Sequence, residues 1–348
     1  MEKDKYFLLI KQKTIKKKLS GIIFTRSICS IGIIIFHYFC HSKGKFKFFF
    51  GSSNSSWGLM FVTSFFSISG TVLYYNYPKI SSFKTFYFKR WKSIFPAYYI
   101  CFSYFFLKNV FRYHKLFYCG HWSYLFLTLL GLDGYLKYRF KSYYLIGEWF
   151  LGAIVIIYSI YPGLLFLMNK NILIIHFIAS FCYPFIHMKN LFIIKDTFNI
   201  IGCIYSFYFG MLCIKFYSIF FKNRITFIIS FFILLFLCSV KISKFLLILQ
   251  IQGFSLYIVS MQIGELIMMR RFRIIFIEIS NLSYYNFLLH HKIILNILGV
   301  INPTEWYLHI LLLGITILLT IICSKILSII VTNIFKSNIF KKLESFFS

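Results

Sequence analysis

The sequence predicts an all-α membrane protein with about ten transmembrane helices. Hydrophobic residues make up 59% of the 348 residues, aromatic residues make up 22%, and the mean hydropathy is +0.76. This composition excludes an ordinary soluble domain. Apolar stretches of about 18 residues or more, long enough to cross a bilayer, recur along the whole chain. We therefore expect one transmembrane domain over residues 1–348, without a separate soluble domain.

Ten stretches have the length and apolar character of a membrane span. In chain order they are 19–40, 57–77, 93–111, 144–168, 171–188, 197–217, 223–241, 245–268, 275–298 and 305–333. Short segments rich in lysine and arginine separate them, as expected of loops at a membrane surface. A basic segment, 1–18, precedes the first span, and a short tail, 334–348, follows the last.

A further apolar stretch, 121–134, decides the topology of everything after it. It is short and ends in Gly-Leu-Asp-Gly, which is a turn signal. If it does not cross, most basic clusters lie on the side of both termini, and the positive-inside rule favours that arrangement. We therefore predict that 112–143 is an outer loop, whose apolar part re-enters or lies at the interface, and that both termini are cytoplasmic.

The net charge of +29 does not indicate a nucleic-acid partner. The basic residues lie in short clusters between apolar spans, which is typical of anchors at a cytoplasmic membrane face, so the expected partners are membrane lipids. The nine cysteines show no CxxC or Cys/His ligand spacing, and the sequence predicts no metal site. The abundance of Lys, Ile and Phe is typical of A/T-rich coding sequences, so we expect the cell membrane of a bacterium.

Arg26 and His37 are ionisable residues inside the first predicted span, where each costs free energy. Eleven residues turn a helix by about 1,100° and advance it by about 16 Å, so the two side chains project from one face at two depths. Arg26 would lie towards the cytoplasmic end and His37 in the outer half. In the alternative interpretation, Arg26 reaches the headgroups and His37 bonds a neighbouring helix.

This spacing resembles the first helix of the membrane-bound acyltransferase 3 family, whose members transfer acyl groups, most often acetyl, to extracytoplasmic carbohydrates. Further stretches resemble motifs of the family in the same order, so that the resemblance covers nearly the entire chain. They are FFSISGTVLYYNY at 65–77, FYFKRWKSIFPAYYI at 86–100, YYLIGEWFLGAIVIIYSIYPGLLF at 143–166 and LSYYNFLLHHKII at 282–294.

The resemblance implies an acyl-CoA donor, with acetyl-CoA expected, and a carbohydrate acceptor. Cations at the cytoplasmic face would bind the CoA phosphates, and the predicted donor-binding residues are Arg26, Lys89, Arg90 and Lys92. An imidazole supported by a carboxylate suits deprotonation of a hydroxyl near neutral pH. The predicted catalytic residues are therefore His37 and Glu148. Possible supporting residues are Ser69, Ser283, Tyr284, His290 and His291.

The basic segment departs from the family pattern. The family commonly has R-x-x-R-x-x-P, whereas here Arg90 is followed by Ser93 and then by Pro96. Lys89 and Lys92 would then replace a bidentate arginine by point charges.

Plainer interpretations remain for several of these residues. The cluster at 89–92 could be an anchor, Ser69 with Gly70 a packing point, and Ser283 with His290 a hydrogen-bonding pair between helices. Asp133, Glu265 and Glu278 are interpreted as interface or loop residues.

Two rival functions are also open. A transporter or flippase of lipid-linked sugars would show internal repeats or paired broken helices, and we find no convincing internal similarity. An inactive relative could instead serve as an assembly partner in the cell envelope. The acceptor, the acyl chain and the oligomeric state are open.

Overall fold

Most of the described residues are helical, and no β-strand occurs among them. The computed structural model describes residues 2–42, 56–137, 139–170, 199–239, 246–267, 273–301 and 303–347. The helices up to the first long gap are α1 (Glu2–His41), α2 (Ser56–Asn76), α3 (Phe83–Tyr113), α4 (Leu125–Leu129), α5 (Asp133–Leu136) and α6 (Glu148–Lys170). Those after it are α7 (Ile200–Lys215), α8 (Arg224–Ser239), α9 (Leu246–Ile267), α10 (Arg273–Val300), α11 (Trp306–Lys336) and α12 (Asn338–Phe347).

Six helices in the described part are long and apolar enough to cross a membrane, judged by length and composition. They are Ser20–His41 in α1, Trp57–Asn76 in α2, Leu247–Ile267 in α9, and the whole of α3, α6 and α11. The predicted all-α membrane class is confirmed to this extent. α11 carries large apolar side chains that are exposed, as a bilayer requires: Leu311, Leu318, Ile322, Ile326 and Ile329.

The remaining predicted spans are not both long enough and apolar enough to be counted with these six. α7 and α8 have 16 residues each, short of the roughly 20 that a spanning helix needs. α10 has 28 residues, but polar side chains interrupt its apolar character. The predicted span at 171–188 lies outside the described residues.

α3 begins ten residues earlier than the predicted span at 93–111. Ser82 caps it, because its hydroxyl accepts a hydrogen bond from the backbone N–H of Thr85 at 3.3 Å. The basic segment is therefore helical and continuous with the apolar part. An apolar window cannot detect such a start, since it measures hydropathy and not capping.

The stretch 121–134 contains no long helix. It folds as a 3₁₀ turn at Trp122–Tyr124, followed by α4 and the start of α5, with Gly131 in the left-handed region at φ 68°. The five residues of α4 are far too few to cross a bilayer.

Two compact units divide the chain. The first unit comprises Met1–Asn76 and Tyr205–Ser283, and the second comprises Tyr77–Ile204 and Tyr284–Ser348.

Hydroxyl groups join the helices of the first unit. Thr71 of α2 donates to the carbonyl of Gly210 at 2.8 Å, and its Oγ1 lies 2.6 Å from the hydroxyl of Tyr257 in α9. Ser64 donates to the carbonyl of Gly253 at 2.9 Å. Such bonds and close backbone approaches hold helices together in lipid, where the hydrophobic effect is not available to do so.

Gly70 of α2 faces the backbone of α7, and its replacement by alanine is expected to destabilise the first unit by about 2 kcal/mol. A Cβ at this position would overlap the carbonyl oxygen of Phe207 and lie 3.3 Å from the backbone nitrogen of Met211. Thermal unfolding in detergent measures the effect. Gly163→Ala is the control, because no atom lies within 4 Å of a Cβ there. Equal melting temperatures for both variants would contradict the expectation.

α3 and α6 run antiparallel in the second unit. Near the start of α3, Tyr87 donates to the carbonyl of Ser159 at 2.8 Å, late in α6. Further along α3, the ring of Tyr98 lies 3.0 Å from the position of a Cβ on Gly147, just before α6. The start of α3 therefore lies beside the late part of α6, and a later part of α3 lies beside the start of α6.

The predicted C-terminal tail is largely helical. α12 packs on the start of α3, where Phe347 stacks on Phe88 with ring centroids 4.6 Å apart. Lys92 forms an ion pair with Glu344 of α12 at 2.8 Å. This helix therefore covers one side of the basic segment.

Candidate functional site

Glu148 is the first residue of α6 and has an unusual backbone. Its φ is 28°, in the left-handed region, and the φ of the preceding Gly147 is 84°. Glycine adopts this conformation freely, whereas a residue with a side chain pays of order 1 to 3 kcal/mol and often lies at a functional site. The position also places a carboxylate at the positive end of the α6 dipole.

The segment between α3 and α6 supports this strained turn directly. Gly134 of α5 approaches so closely that a Cβ would lie 2.5 Å from the carbonyl oxygen of Glu148 and 3.0 Å from the ring of Tyr144. A larger residue at 134 would push the loop away from α6. The second glycine of the Gly-Leu-Asp-Gly turn is thus a contact point for the backbone of Glu148.

His291 of α10 lies beside the Glu148 carboxylate. Its Nε2 is 2.7 Å from Oε1 of Glu148, and each of the two side chains is 21% exposed. The hydroxyl of Tyr144 donates to the same carboxylate oxygen at 3.5 Å. The imidazole of His291 and the hydroxyl of Tyr144 thus meet at one oxygen of the Glu148 carboxylate.

His290, the preceding residue, is buried and bonded to its own helix. Its Nδ1 lies 3.0 Å and 2.9 Å from the carbonyl oxygens of Asn286 and Phe287. Because carbonyls only accept, Nδ1 carries the proton in this arrangement. The His290 and His291 ring centroids are 4.5 Å apart, so His290 packs directly against its neighbour.

Asp133, predicted to be an interface or loop residue, is the first residue of α5 and is fully buried. Its carboxylate accepts from the hydroxyl of Tyr98 at 3.0 Å, that of Thr128 at 3.2 Å and the N–H of Gly134 at 2.9 Å. Burial raises the pKa of Asp133, and these three donors oppose that shift. The signal for this buried site in the sequence was an acidic residue inside an otherwise apolar stretch, since a buried carboxylate needs hydrogen-bond donors.

The other predicted residues of α10 differ in role. Tyr284 donates its hydroxyl to the carbonyl of Ile94 at 2.9 Å, which ties α10 to α3 in the second unit. Ser283 is buried at the end of the first unit.

Arg90 lies near the start of α3 among aromatic rings. Its guanidinium carbon is 5.1 Å from the ring centroid of Tyr77 and 5.8 Å from that of Tyr158, and Nη2 is 3.4 Å from the Tyr77 hydroxyl. No carboxylate in the described part of the chain forms an ion pair with it. Tyr158 follows Glu148 by ten residues, so Arg90 lies roughly 15 Å along α6 from the carboxylate.

The two lysines beside Arg90 are placed differently. Lys89 is exposed, whereas Lys92 is bound to Glu344 and lies 5.0 Å from the ring centroid of Phe335. Lys92 is therefore already neutralised by a carboxylate of the same chain.

Arg26, His37 and Ser69 lie in the first unit. Arg26 and His37 are both half-buried on α1, and the His37 ring meets Phe36 edge to face with centroids 5.1 Å apart. The hydroxyl of Ser69 donates to the carbonyl of Phe65 in its own helix at 2.9 Å. Local bonding of this kind agrees with a packing role.

Chemically, the second unit combines a carboxylate–imidazole pair with a guanidinium roughly half a membrane thickness away. The pair can accept and return a proton, and the guanidinium can bind a phosphate. Comparison with models of protein families, with curated proteins and with solved structures gives no match.

Proposed function

We propose that the protein is an integral membrane O-acyltransferase, which moves an acyl group from cytoplasmic acyl-CoA to a hydroxyl of an extracytoplasmic carbohydrate. Acetyl is the acyl group that we propose, in line with the sequence resemblance. The observation that supports this most strongly is the contact between Glu148 and His291 at 2.7 Å, built on a strained helix start. Strain and a paired ionisable group at one position are typical of a catalytic site.

The proposed topology is that of ten spans with both termini cytoplasmic, in the cell membrane of a bacterium. α3 then runs outward and α6 inward, which agrees with their antiparallel packing. Arg90 would lie in the cytoplasmic half, where acyl-CoA is available, and Glu148 in the outer half, where the acceptor arrives. The two charged sites of the second unit would then lie at two depths because the donor and the acceptor arrive from opposite sides of the membrane.

In the proposed reaction an imidazole acts as the general base. The acceptor hydroxyl gives its proton to the imidazole while its oxygen attacks the thioester carbonyl carbon. The carbon–sulfur bond then breaks, and the CoA thiolate takes up the proton. His291, oriented by Glu148, is the base in this scheme, and the predicted base His37 of α1 is the alternative that mutagenesis distinguishes.

Release of CoA from acetyl-CoA tests the function. The purified protein in nanodiscs is mixed with acetyl-CoA and a crude cell-envelope glycan, and free thiol is followed with time. We expect turnover that depends on the glycan. Absence of both turnover and acetyl-CoA binding with several glycans would reject the proposal and favour a transporter or an inactive assembly partner.

Arg90→Met is expected to raise the KM for acetyl-CoA at least tenfold with a smaller change in kcat. The reason is that a charged hydrogen bond to a phosphate contributes about 1.5 to 3 kcal/mol to binding, and every 1.4 kcal/mol is about tenfold in affinity. Lys79→Gln, at an exposed position of the turn before α3, is the control. A KM equal to that of the control would remove Arg90 from the donor site.

A further inference from the structure

The outer side of the second unit is basic, against the usual distribution. Between residues 108 and 141 the sequence has one acidic residue, Asp133, and it is fully buried. The basic residues there are Lys108, Arg112, Lys115, Lys137, Arg139 and Lys141. Lysine and arginine are usually enriched on the cytoplasmic side of a membrane protein and not on the outer side. Membrane orientation therefore does not explain these basic residues. They require another reason.

Two lysines are linked to the Glu148–His291 pair, and each lies on an aromatic ring. The ammonium of Lys137 lies 4.1 Å from the ring centroid of Tyr144, whose hydroxyl donates to Glu148. Lys292 directly follows His291 in α10, and its ammonium lies 5.5 Å from the ring centroid of Phe105. Cation–π contacts of this kind hold an ammonium in place and leave its N–H donors able to bind an anion.

Among the described residues, no carboxylate compensates the positive charge of these lysines. No described carboxylate forms an ion pair with Lys137, Lys292 or Lys108, while Glu148 is already paired with His291. Lys108 follows Phe105 by one helical turn, and its charge acts on Lys292. Like charges brought together without a counterion raise the local positive potential, which attracts and concentrates anions.

We propose that Lys137 and Lys292 form an anion subsite beside the Glu148–His291 pair, and that the acceptor is a glycan with carboxylate or phosphate groups. This rests on the proposed function, because it names the class of acceptor for that site. A glycan is favoured over a lipid headgroup because Lys137 contacts Tyr144, which bonds the catalytic carboxylate itself. The ammonium groups would hold the acidic substituent while a neighbouring hydroxyl reaches the imidazole.

Direct binding tests the subsite without acyl transfer. The full-length protein, in nanodiscs of phosphatidylcholine alone, is titrated with oligogalacturonate and with the same oligosaccharide after reduction of its carboxyl groups. We expect the acidic form to bind at least tenfold more tightly, with affinity that falls as salt rises. Equal affinity for the two forms would overturn the proposal.

Variants assign the binding to the two lysines. Lys137→Gln with Lys292→Gln is expected to lower the affinity for oligogalacturonate about tenfold or more, and Lys137→Arg with Lys292→Arg is expected to retain most of it. Lys170→Gln is the matched control, because that lysine also lies on a ring, 4.6 Å from the centroid of Phe166, at the other end of α6. An equal loss in the control, or no loss in the double glutamine variant, would place the binding elsewhere.

A further comparison distinguishes an acidic glycan from an anionic lipid headgroup as the bound anion. Nanodiscs with phosphatidylglycerol are compared with those without it, and lipid retained by the purified variants is measured. If the lysine variants lose anionic lipid but bind oligogalacturonate normally, the proposal is overturned. Binding of oligogalacturonate without any CoA release would retain the subsite and reject the acyltransferase, whereas turnover with neutral glycans alone would reject the subsite.

Discussion

Glu148→Gln is expected to lower the rate of CoA release at least 100-fold while the protein still binds acetyl-CoA. Glutamine has nearly the shape of glutamate, so the helix start can be kept, but the charge that faces His291 is lost. Without that carboxylate the imidazole loses the charged neighbour that lies 2.7 Å from its Nε2. General-base catalysis contributes about 10² to 10⁴ in rate, so the loss should fall in this range.

The companion variants distinguish the two candidate bases. His291→Gln should lose about as much as Glu148→Gln, and the double variant should lose little more, because residues that act as one unit are not additive. His37→Ala, under the same conditions, tests the base that the sequence predicts. A severe loss in His37→Ala alone, with Glu148→Gln and His291→Gln near wild type, would transfer the role to α1.

Glu344→Gln is the matched control for charge removal. This carboxylate is also in an ion pair, with Lys92 at 2.8 Å, but it lies on the surface of α12. Exposed pairs contribute about 0 to 1 kcal/mol, so neither stability nor CoA release should change much. If Glu344→Gln lost activity as Glu148→Gln does, a general effect of charge would explain both.

Asp133→Leu is expected to destabilise the second unit by about 2 to 4 kcal/mol, because three donors lose their acceptor at a buried site. The hydroxyls of Tyr98 and Thr128 and the N–H of Gly134 would all remain inside without a partner. Gly134 lies against the carbonyl of Glu148, so activity should fall together with stability. The measurement is the melting temperature in detergent, with CoA release as the second readout.

Asp133→Asn is the control and should stay within about 1 kcal/mol of wild type, since the amide oxygen can accept from Tyr98 and Gly134 and the amide nitrogen can donate to Thr128. Equal destabilisation by leucine and asparagine would show that charge is required. Equal stability of all three proteins would show that the loop does not depend on this network.

The same carboxyl predicts a pH dependence. Burial raises its pKa in the folded protein above the ordinary value of 3.8, so the folded state binds this proton more tightly than the unfolded state. The free energy of unfolding should therefore fall as pH rises from about 4 through the raised pKa. In Asp133→Asn this fall should be absent, which melting curves at stepped pH can measure. An identical pH profile in the variant would assign the dependence to other groups.

Composition and the length of the apolar stretches alone determined the class of this protein. Long apolar stretches predict helices because a bilayer leaves no other partner for backbone groups, and six such helices occur in the described residues. The stretch 121–134, which ends in the turn signal Gly-Leu-Asp-Gly, contains no long helix. The early start of α3 was missed, since a hydropathy window does not detect a serine cap.

Tertiary structure alone decided which ionisable groups meet. Glu148 was predicted as a catalytic residue from the sequence resemblance, but its contact with His291 joins residues 143 positions apart, and no local pattern encodes such a contact. The burial of Asp133 was not predicted, because burial depends on which other segments of the chain pack over a residue. Lys92, which is predicted to bind phosphate, forms an ion pair with Glu344 of α12 that its local sequence does not indicate. Local propensity and hydropathy act over a few residues, whereas a buried charge is stabilised by partners that only the folded chain brings within hydrogen-bond distance.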